Sequence, residues 1–374
     1  MPLVTPAAAP TTPHTESGAM FVRSDYVVLV GGAIAVVLAG VTHYAGAGEV
    51  LPFVCSAVAV TLLASLVGRS VEQLGDRYGP GATGVLQSAL GNLPELFIAL
   101  FALKAGLVAV VQAALIGSIL ANLLLVLGMC FVVGGLKHGP QKLDSQRARQ
   151  ITVLMVLSVA AMVIPSIAHY VHTPASEHEK AFSLITSVVL VGLFLLILPA
   201  SLRRQSTSEE SGSEPLHHEA PRWPLWLAVG LLALAAVLAA FVSDWFVSAL
   251  EPAMASFGIS EAFAGLVVVA IAGNAIENVV GIQLAAAGRS EYAFSVVINS
   301  PLQIALVLAP LLVILTQVFG FAALTLVFSP MLIISLVIAV IITAFITFDG
   351  ESDWIEGAAL IALYVVIATV FWWG

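Results

Sequence analysis

Charge is what this chain has least of. Only 9% of its 374 residues are Asp, Glu, Lys or Arg, where soluble chains carry roughly a quarter. That scarcity excludes an ordinary soluble domain. The 13 basic residues are scattered and the net charge is −9, which excludes a nucleic-acid-binding groove. Cysteine is nearly absent. Cys55 and Cys130 both lie in apolar runs, so a disulfide framework is excluded as well. The stretch from Met1 to Met20 has no basic residues ahead of an apolar core. It therefore reads as a disordered Ala/Pro/Thr-rich tail over residues 1–24 and not as a signal peptide.

What is present in abundance is apolar length. The chain is 60% hydrophobic, with a mean hydropathy of +1.06. Its apolar runs fall at 26–45, 50–68, 83–104, 106–134, 150–170, 181–200, 224–248, 260–287, 291–319, 322–347 and 354–373. A run of about 20 residues crosses a ~30 Å hydrocarbon core as a helix. The pattern predicts an all-α polytopic membrane protein with eleven transmembrane helices and membrane lipid around them. A polar acidic linker over 201–223, with the run Ser206 to Glu214, separates six helices from five.

Basic residues orient the chain. With the N-terminus in the cytoplasm, Arg23, Arg69, Arg77, Lys137, Lys142, Arg147, Arg149, Arg203, Arg204, Arg222 and Arg289 all fall inside. Only Lys104 and Lys180 fall outside. The linker is then cytoplasmic and the C-terminus external. Lack of a cleavable targeting segment suits a prokaryotic inner membrane.

Two polar knots interrupt the apolar runs, Gly91-Asn92-Leu93-Pro94-Glu95 and Gly273-Asn274-Ala275-Ile276-Glu277. They stand 182 residues apart. The same offset carries Gly106 onto Gly288 and Ser118 onto Ser300, and carries helices 2–6 onto helices 7–11. Five helices per copy is an odd number, so the copies would cross the membrane in opposite directions, as in several transporter folds. The division is an extra helix over 25–49, a first repeat over 50–200 and a second over 224–374. Counted from the nearest helix ends at ~1.5 Å per residue, Glu95 and Glu277 both lie roughly 14–15 Å deep, near the midplane.

A carboxylate at that depth must be protonated or paired with a cation. Two at one desolvated site let a cation and protons compete, which is the minimum an antiporter needs. Asn92, Asn274, Ser118, Ser300, Asn122 and Gln303 add oxygen acceptors suited to a hard cation, and neither Cys nor His lies nearby to favour a soft metal. Gly91 and Gly273 read as helix breaks that expose carbonyls to a cavity. Asn92 would then cap the second half-helix. A purely structural alternative is a capping box, in which each Glu satisfies backbone donors at a kink. Enzymatic readings find no support, because the midplane has no His dyad, no Ser/Lys pair and no paired aspartates.

The segments Gly91–Leu100 and Gly117–Leu124 resemble the first repeat of the calcium/proton exchangers, within the cation/calcium exchanger superfamily. Gly273–Glu277 and Gln303–Leu306 resemble the second. The resemblance implies an eleven-helix antiporter without a cofactor that exchanges cytosolic Ca²⁺ for H⁺. In it Glu95 and Glu277 would bind cation and proton, with Asn92, Asn274, Ser118, Ser300 and Gln303 in support. The second repeat departs from the family pattern, with Asn278 where members carry His and Asn299 where they carry Gly. Na⁺ or another cation exchanged for H⁺ on the same fold stays open, as does a channel or sensor without coupled exchange.

Four further features are weighed as surface first. Asp244 stands near the expected outer end of its helix. The outer loop His169–Glu179 holds three histidines, and His217-His218-Glu219 lies in the linker. Asp349, Glu351, Asp353 and Glu356 cluster at the cytoplasmic side, where they would gather cations before entry.

Overall fold

The computed structural model describes residues 20–78, 90–210 and 221–373. The expected tail up to residue 19, the beginning of the run 83–104 and the linker segment with His217, His218 and Glu219 lie outside the described residues. The chain is built from twelve described helices: α1 Arg23–Tyr44, α2 Val50–Tyr78, α3 Leu93–Lys104, α4 Val108–His138, α5 Ser145–Tyr170, α6 Glu179–Glu210, α7 Leu225–Phe257, α8 Glu261–Gly273, α9 Ala275–Ala286, α10 Ser290–Phe319, α11 Pro330–Thr347 and α12 Trp354–Trp372. Among the described residues nine helices are each long and apolar enough to cross a membrane, and the bent pair α8–α9 makes a tenth. α3 is the second half of the expected run 83–104.

Bounds recur along the chain. α3 and α9 are both 12 residues long, and their ends differ by 182 positions. The turns after them carry Gly106 at φ 85° and Gly288 at φ 77°, values a side chain resists. α4 and α10 follow, and each contains a π-helical turn, Ala121–Val126 and Ile304–Leu308. Such turns insert a residue into the α-helical count and re-aim the side chains around them. A third lies at Ala264–Val269 in α8.

Two boundaries differ from expectation. The polar composition puts the linker from residue 201, yet α6 continues as helix to Glu210. Nothing in that polar stretch breaks a helix before Gly212. The run 322–347 was read as one helix, yet α11 starts at Pro330. Residues 321–329 are extended instead, between the left-handed Gly320 and the Ser329-Pro330 helix start. Leu324, Leu326 and Phe328 alternate inward and are fully buried. Backbone there has lost helical partners, and side chains replace them. Ser183 Oγ accepts from Leu326 N at 3.0 Å, Ser166 Oγ accepts from Phe328 N at 3.0 Å, and Gln112 Nε2 donates to Val327 O at 2.8 Å. Non-helical backbone inside a bundle is tolerated only with such replacements.

Loop contacts fall into two sets. In one, Lys137 Nζ donates to Ala286 O at 2.6 Å, and Gln141–Lys142 pairs antiparallel with Glu351–Ser352. Asp25, Arg69 and Arg222 form an ion cluster of their own. Asp25 is 1% exposed, with Arg69 Nη1 at 2.6 Å and Arg222 Nη1 at 3.3 Å. In the other set Glu49 accepts from Ser256, Thr325 donates to Glu179 at 2.8 Å, and Ser260 donates to Phe371 O at 2.6 Å. The most deeply buried span is α4. It crosses α8 at two glycines: a Cβ on Gly117 would run into Leu266 backbone, and one on Gly265 into Val110 O. That crossing sets Ser118 beside the end of α8.

Candidate functional site

α8 stops at Gly273, and Asn274 leaves the helix at φ −95°, ψ 20° before α9 begins. Asn92 holds nearly the same backbone, φ −94°, ψ 17°, before α3 begins. The pieces on either side of Asn274 are bent by 62°. Each glutamate is the third residue of the helix that follows, Glu95 in α3 and Glu277 in α9. A first-turn carboxylate faces free backbone N–H groups and the positive end of the helix dipole. Pro94 occupies the same turn of α3, where its missing donor costs nothing.

Neither asparagine caps its own helix through its side chain, which corrects the expectation for Asn92 and the capping-box alternative with it. Asn274 reaches across the bundle instead. It is 1% exposed. Its Nδ2 donates to Glu95 Oε1 at 2.6 Å and lies 2.8 Å from Ser118 Oγ and 2.9 Å from Ala270 O. Its Oδ1 accepts from Asn122 Nδ2 at 2.8 Å and from Ser300 Oγ at 3.2 Å. Ser118 Oγ donates to the same Glu95 oxygen at 3.0 Å. Five of the residues picked from the sequence thus form one network: Glu95, Ser118, Asn122, Asn274 and Ser300. Glu277 holds the matching place at the other break, third residue of α9. Asn92 is half-buried at its break, and Gln303 ends the α-helical part of α10 just ahead of the π turn.

Gly273 is the last residue of α8 and also leaves room for a side chain from across the bundle. Its φ is not positive. A Cβ at this position would stand 2.6 Å from Glu95 Cγ and 2.8 Å from Oε1. The missing side chain is the space Glu95 occupies. Gly91 lies in the turn ahead of α3 and is half-buried.

Acceptors outnumber donors here. Glu95 Oε2, Glu277 Oε2, Asn122 Oδ1 and Asn278 Oδ1 are all buried without a hydrogen-bond partner. An unsatisfied buried polar atom costs about 1–3 kcal/mol, more if charged. Such a set is stable only if something supplies positive charge or protons. Beside it a narrow cleft touches Glu95 and Ser118 and is otherwise apolar, walled by Ile98, Ala102, Val110 and Leu250.

The remaining features are elsewhere. Asp244 is exposed, next to a Trp245 ring that packs on His43 and Tyr44 at the end of α1. Across the loop that joins α5 to α6, His169 near the end of α5 lies 3.6 Å from Glu179 at the start of α6. Among the described residues no three His, Cys, Asp or Glu side chains are grouped to hold a metal ion. The acidic cluster before α12 is used for structure. Asp353 accepts from Ile355 N and Glu356 N, and Glu356 accepts from Asp353 N. Lys142 approaches Glu351 at 3.9 Å. The polar residues that sequence reasoning passed over, Gln112, Ser166 and Ser183, hold the segment 321–329 and not this network, and they carry no sequence signal beyond being single polar residues in apolar helices.

Comparison with known proteins agrees with this architecture. A family model described as sodium/calcium exchanger protein matches residues 49–202 and 227–373. The chain is 34% identical over 347 residues to the Ca²⁺/H⁺ antiporter of Synechocystis sp., covering 88% of this chain and 92% of that one. It is 33% identical over 350 residues to the Ca²⁺/H⁺ antiporter ChaA of Bacillus subtilis, covering 93% and 99%. The solved structure of native YfkE superposes with a TM-score of 0.78 at 33% identity, covering 92% of this chain and 99% of that one.

Proposed function

The chain belongs to the sodium/calcium exchanger protein family, and on that premise we propose that it is a secondary antiporter exchanging cytosolic Ca²⁺ for H⁺. Glu95 and Glu277 are the carriers. They hold one divalent cation in one half of the cycle and protons in the other, since neither carboxylate can stay bare in a dry site. Asn274, Ser118, Asn122 and Ser300 fix the geometry, with Asn92 and Gln303 as further polar support. The scaffold is an extra N-terminal helix followed by two inverted five-helix repeats, eleven spans in all. The N-terminus is cytoplasmic and the C-terminus external, in a prokaryotic inner membrane.

One observation carries this reading. Two helix breaks of the same backbone shape, 182 residues apart, each present a glutamate three residues on, and Asn274 of one break bonds to Glu95 of the other. A structural kink would satisfy its own backbone, whereas these side chains leave carboxylate oxygens open. Relatives named Ca²⁺/H⁺ antiporter favour Ca²⁺ as the cargo.

The test uses everted membrane vesicles with an imposed proton gradient and a pH-sensitive dye. Added Ca²⁺ is expected to dissipate the gradient. A gradient untouched by Ca²⁺ but collapsed by Na⁺ would make the cargo Na⁺. Ca²⁺ flux that ignores the gradient would make the protein a channel.

A further inference from the structure

Asn278 is the one residue with an open buried oxygen at the site that has no role in the exchange reading above. Its Oδ1 is buried without a partner, like those of Glu277 Oε2, Glu95 Oε2 and Asn122 Oδ1. Asn122, wholly buried, points to a ligand independently. Its Nδ2 is held by Ser118 O at 2.9 Å and Asn274 Oδ1 at 2.8 Å, which leaves its oxygen free of both.

The packing of α9 places Asn278. Positions 274, 278, 281 and 285 form one stripe at helical spacing. Asn274, Gly281 and Ala285 on it are tightly packed, whereas Val279 and Val280 on the other side are exposed. One turn before Asn278, Asn274 touches Asn122 of α4 and Ser300 of α10. One turn after it, Gly281 lies against Val126 and Cys130 of α4 and Val297 of α10. Asn278 is bracketed by these contacts, so it faces the same two helices, between the level of Asn122 and that of Val126. It is also the immediate neighbour of Glu277, on the side of the network toward Ala286.

We propose that Asn278 Oδ1 is a direct oxygen ligand for the transported cation, on the Ala286 side of the Glu95–Glu277 pair. The inference rests on the exchanger reading of that pair. Two carboxylates supply the charge that balances one divalent ion, and the amide oxygens of Asn122 and Asn278 add neutral ligands without adding charge. A hard cation such as Ca²⁺ takes six to eight oxygens, more than two carboxylates provide. An amide oxygen does not titrate, so Asn278 would set affinity and selectivity and leave the proton count to the glutamates.

The experiment is calorimetric Ca²⁺ titration of the full-length chain in detergent, comparing wild type with Asn278→Leu, Asn278→Asp and Glu95→Gln, with thermal unfolding of each. Asn278→Leu keeps the volume and removes the oxygen, and its Kd should rise by about 10-fold or more at unchanged unfolding temperature. Asn278→Asp restores an oxygen and should bind at least as tightly as wild type. Equal Kd for wild type and Asn278→Leu overturns the assignment alone. So does a rise in Kd that comes only with a lowered unfolding temperature and that Asn278→Asp does not rescue. No Ca²⁺ binding by wild type, or binding by Glu95→Gln as tight as that of wild type, overturns the exchanger reading, and the ligand assignment with it.

Discussion

Asn274 donates its side-chain amide to Glu95 at 2.6 Å, although 179 residues separate them and each begins beside a different helix break. The bond joins the bend that carries Glu277 to the carboxylate on the opposite bend. Whatever binds Glu95 therefore alters the hold on Asn274, and through it the start of α9.

Removing either charge should stop the cycle. Glu95→Gln and Glu277→Gln each leave an amide that can neither release a proton nor balance a cation. Exchange in proteoliposomes should fall to the background of empty vesicles, while the unfolding temperature stays near wild type. Retention of half the activity in either variant would sink the two-carboxylate scheme.

In the proposed scheme protons and cation compete for the same oxygens, which sets the sign of the pH dependence. As pH falls, both carboxylates hold protons and apparent Ca²⁺ affinity should weaken. As pH rises, affinity should tighten to a plateau. Each Ca²⁺ bound from the protonated state should release about two protons, measurable by calorimetry in buffers of different ionisation enthalpy. Proton release that persists undiminished in Glu277→Gln would assign the protons elsewhere.

The two breaks are alike in backbone, and Asn274 bonds across the bundle to Glu95, Asn122 and Ser300. Asn274→Ala should therefore lower both activity and stability, by about 1–2 kcal/mol for the lost interhelical bonds. Detergent unfolding together with transport rate would show it. A variant as stable and as active as wild type would mean the network is incidental.

Gly273→Ala adds a methyl carbon 2.6 Å from Glu95 Cγ. Glu95 must move, so transport should drop sharply in a folded protein. Gly230→Ala on α7, where a Cβ meets nothing within 4 Å, should be neutral and serves as the control. Transport by Gly273→Ala at the control's rate would show that Glu95 does not need that space.

The ion cluster that ties α1 to α2 and to the start of α7 makes a prediction about folding alone. Asp25→Ala strips a 1%-exposed carboxylate from between Arg69 and Arg222. The loss should be about 3 kcal/mol, the low end for breaking a buried pair, because both arginines keep partial access to water. A parallel loss of Ca²⁺ affinity in the folded fraction would contradict this purely structural role.

The sequence by itself determined that the chain is a bundle of membrane-spanning helices and which residues are polar inside it. Burying an unpaired polar group in hydrocarbon is so costly that composition alone exposes each exception. Hence Glu95, Asn274, Ser118, Asn122 and Ser300 could be picked from their neighbours. Only the tertiary structure decided how those groups are spent. An amide can cap its own helix or bond across a bundle, and sequence spacing permits both. The close crossing of α4 and α8 at Gly117 and Gly265 brings partners from distant segments within reach, and Asn274 turns to Glu95. The extended segment 321–329 was likewise hidden, because its apolar residues fit a helix as well as a strand. Its backbone stays unpaired unless Gln112, Ser166 and Ser183 arrive from elsewhere in the chain.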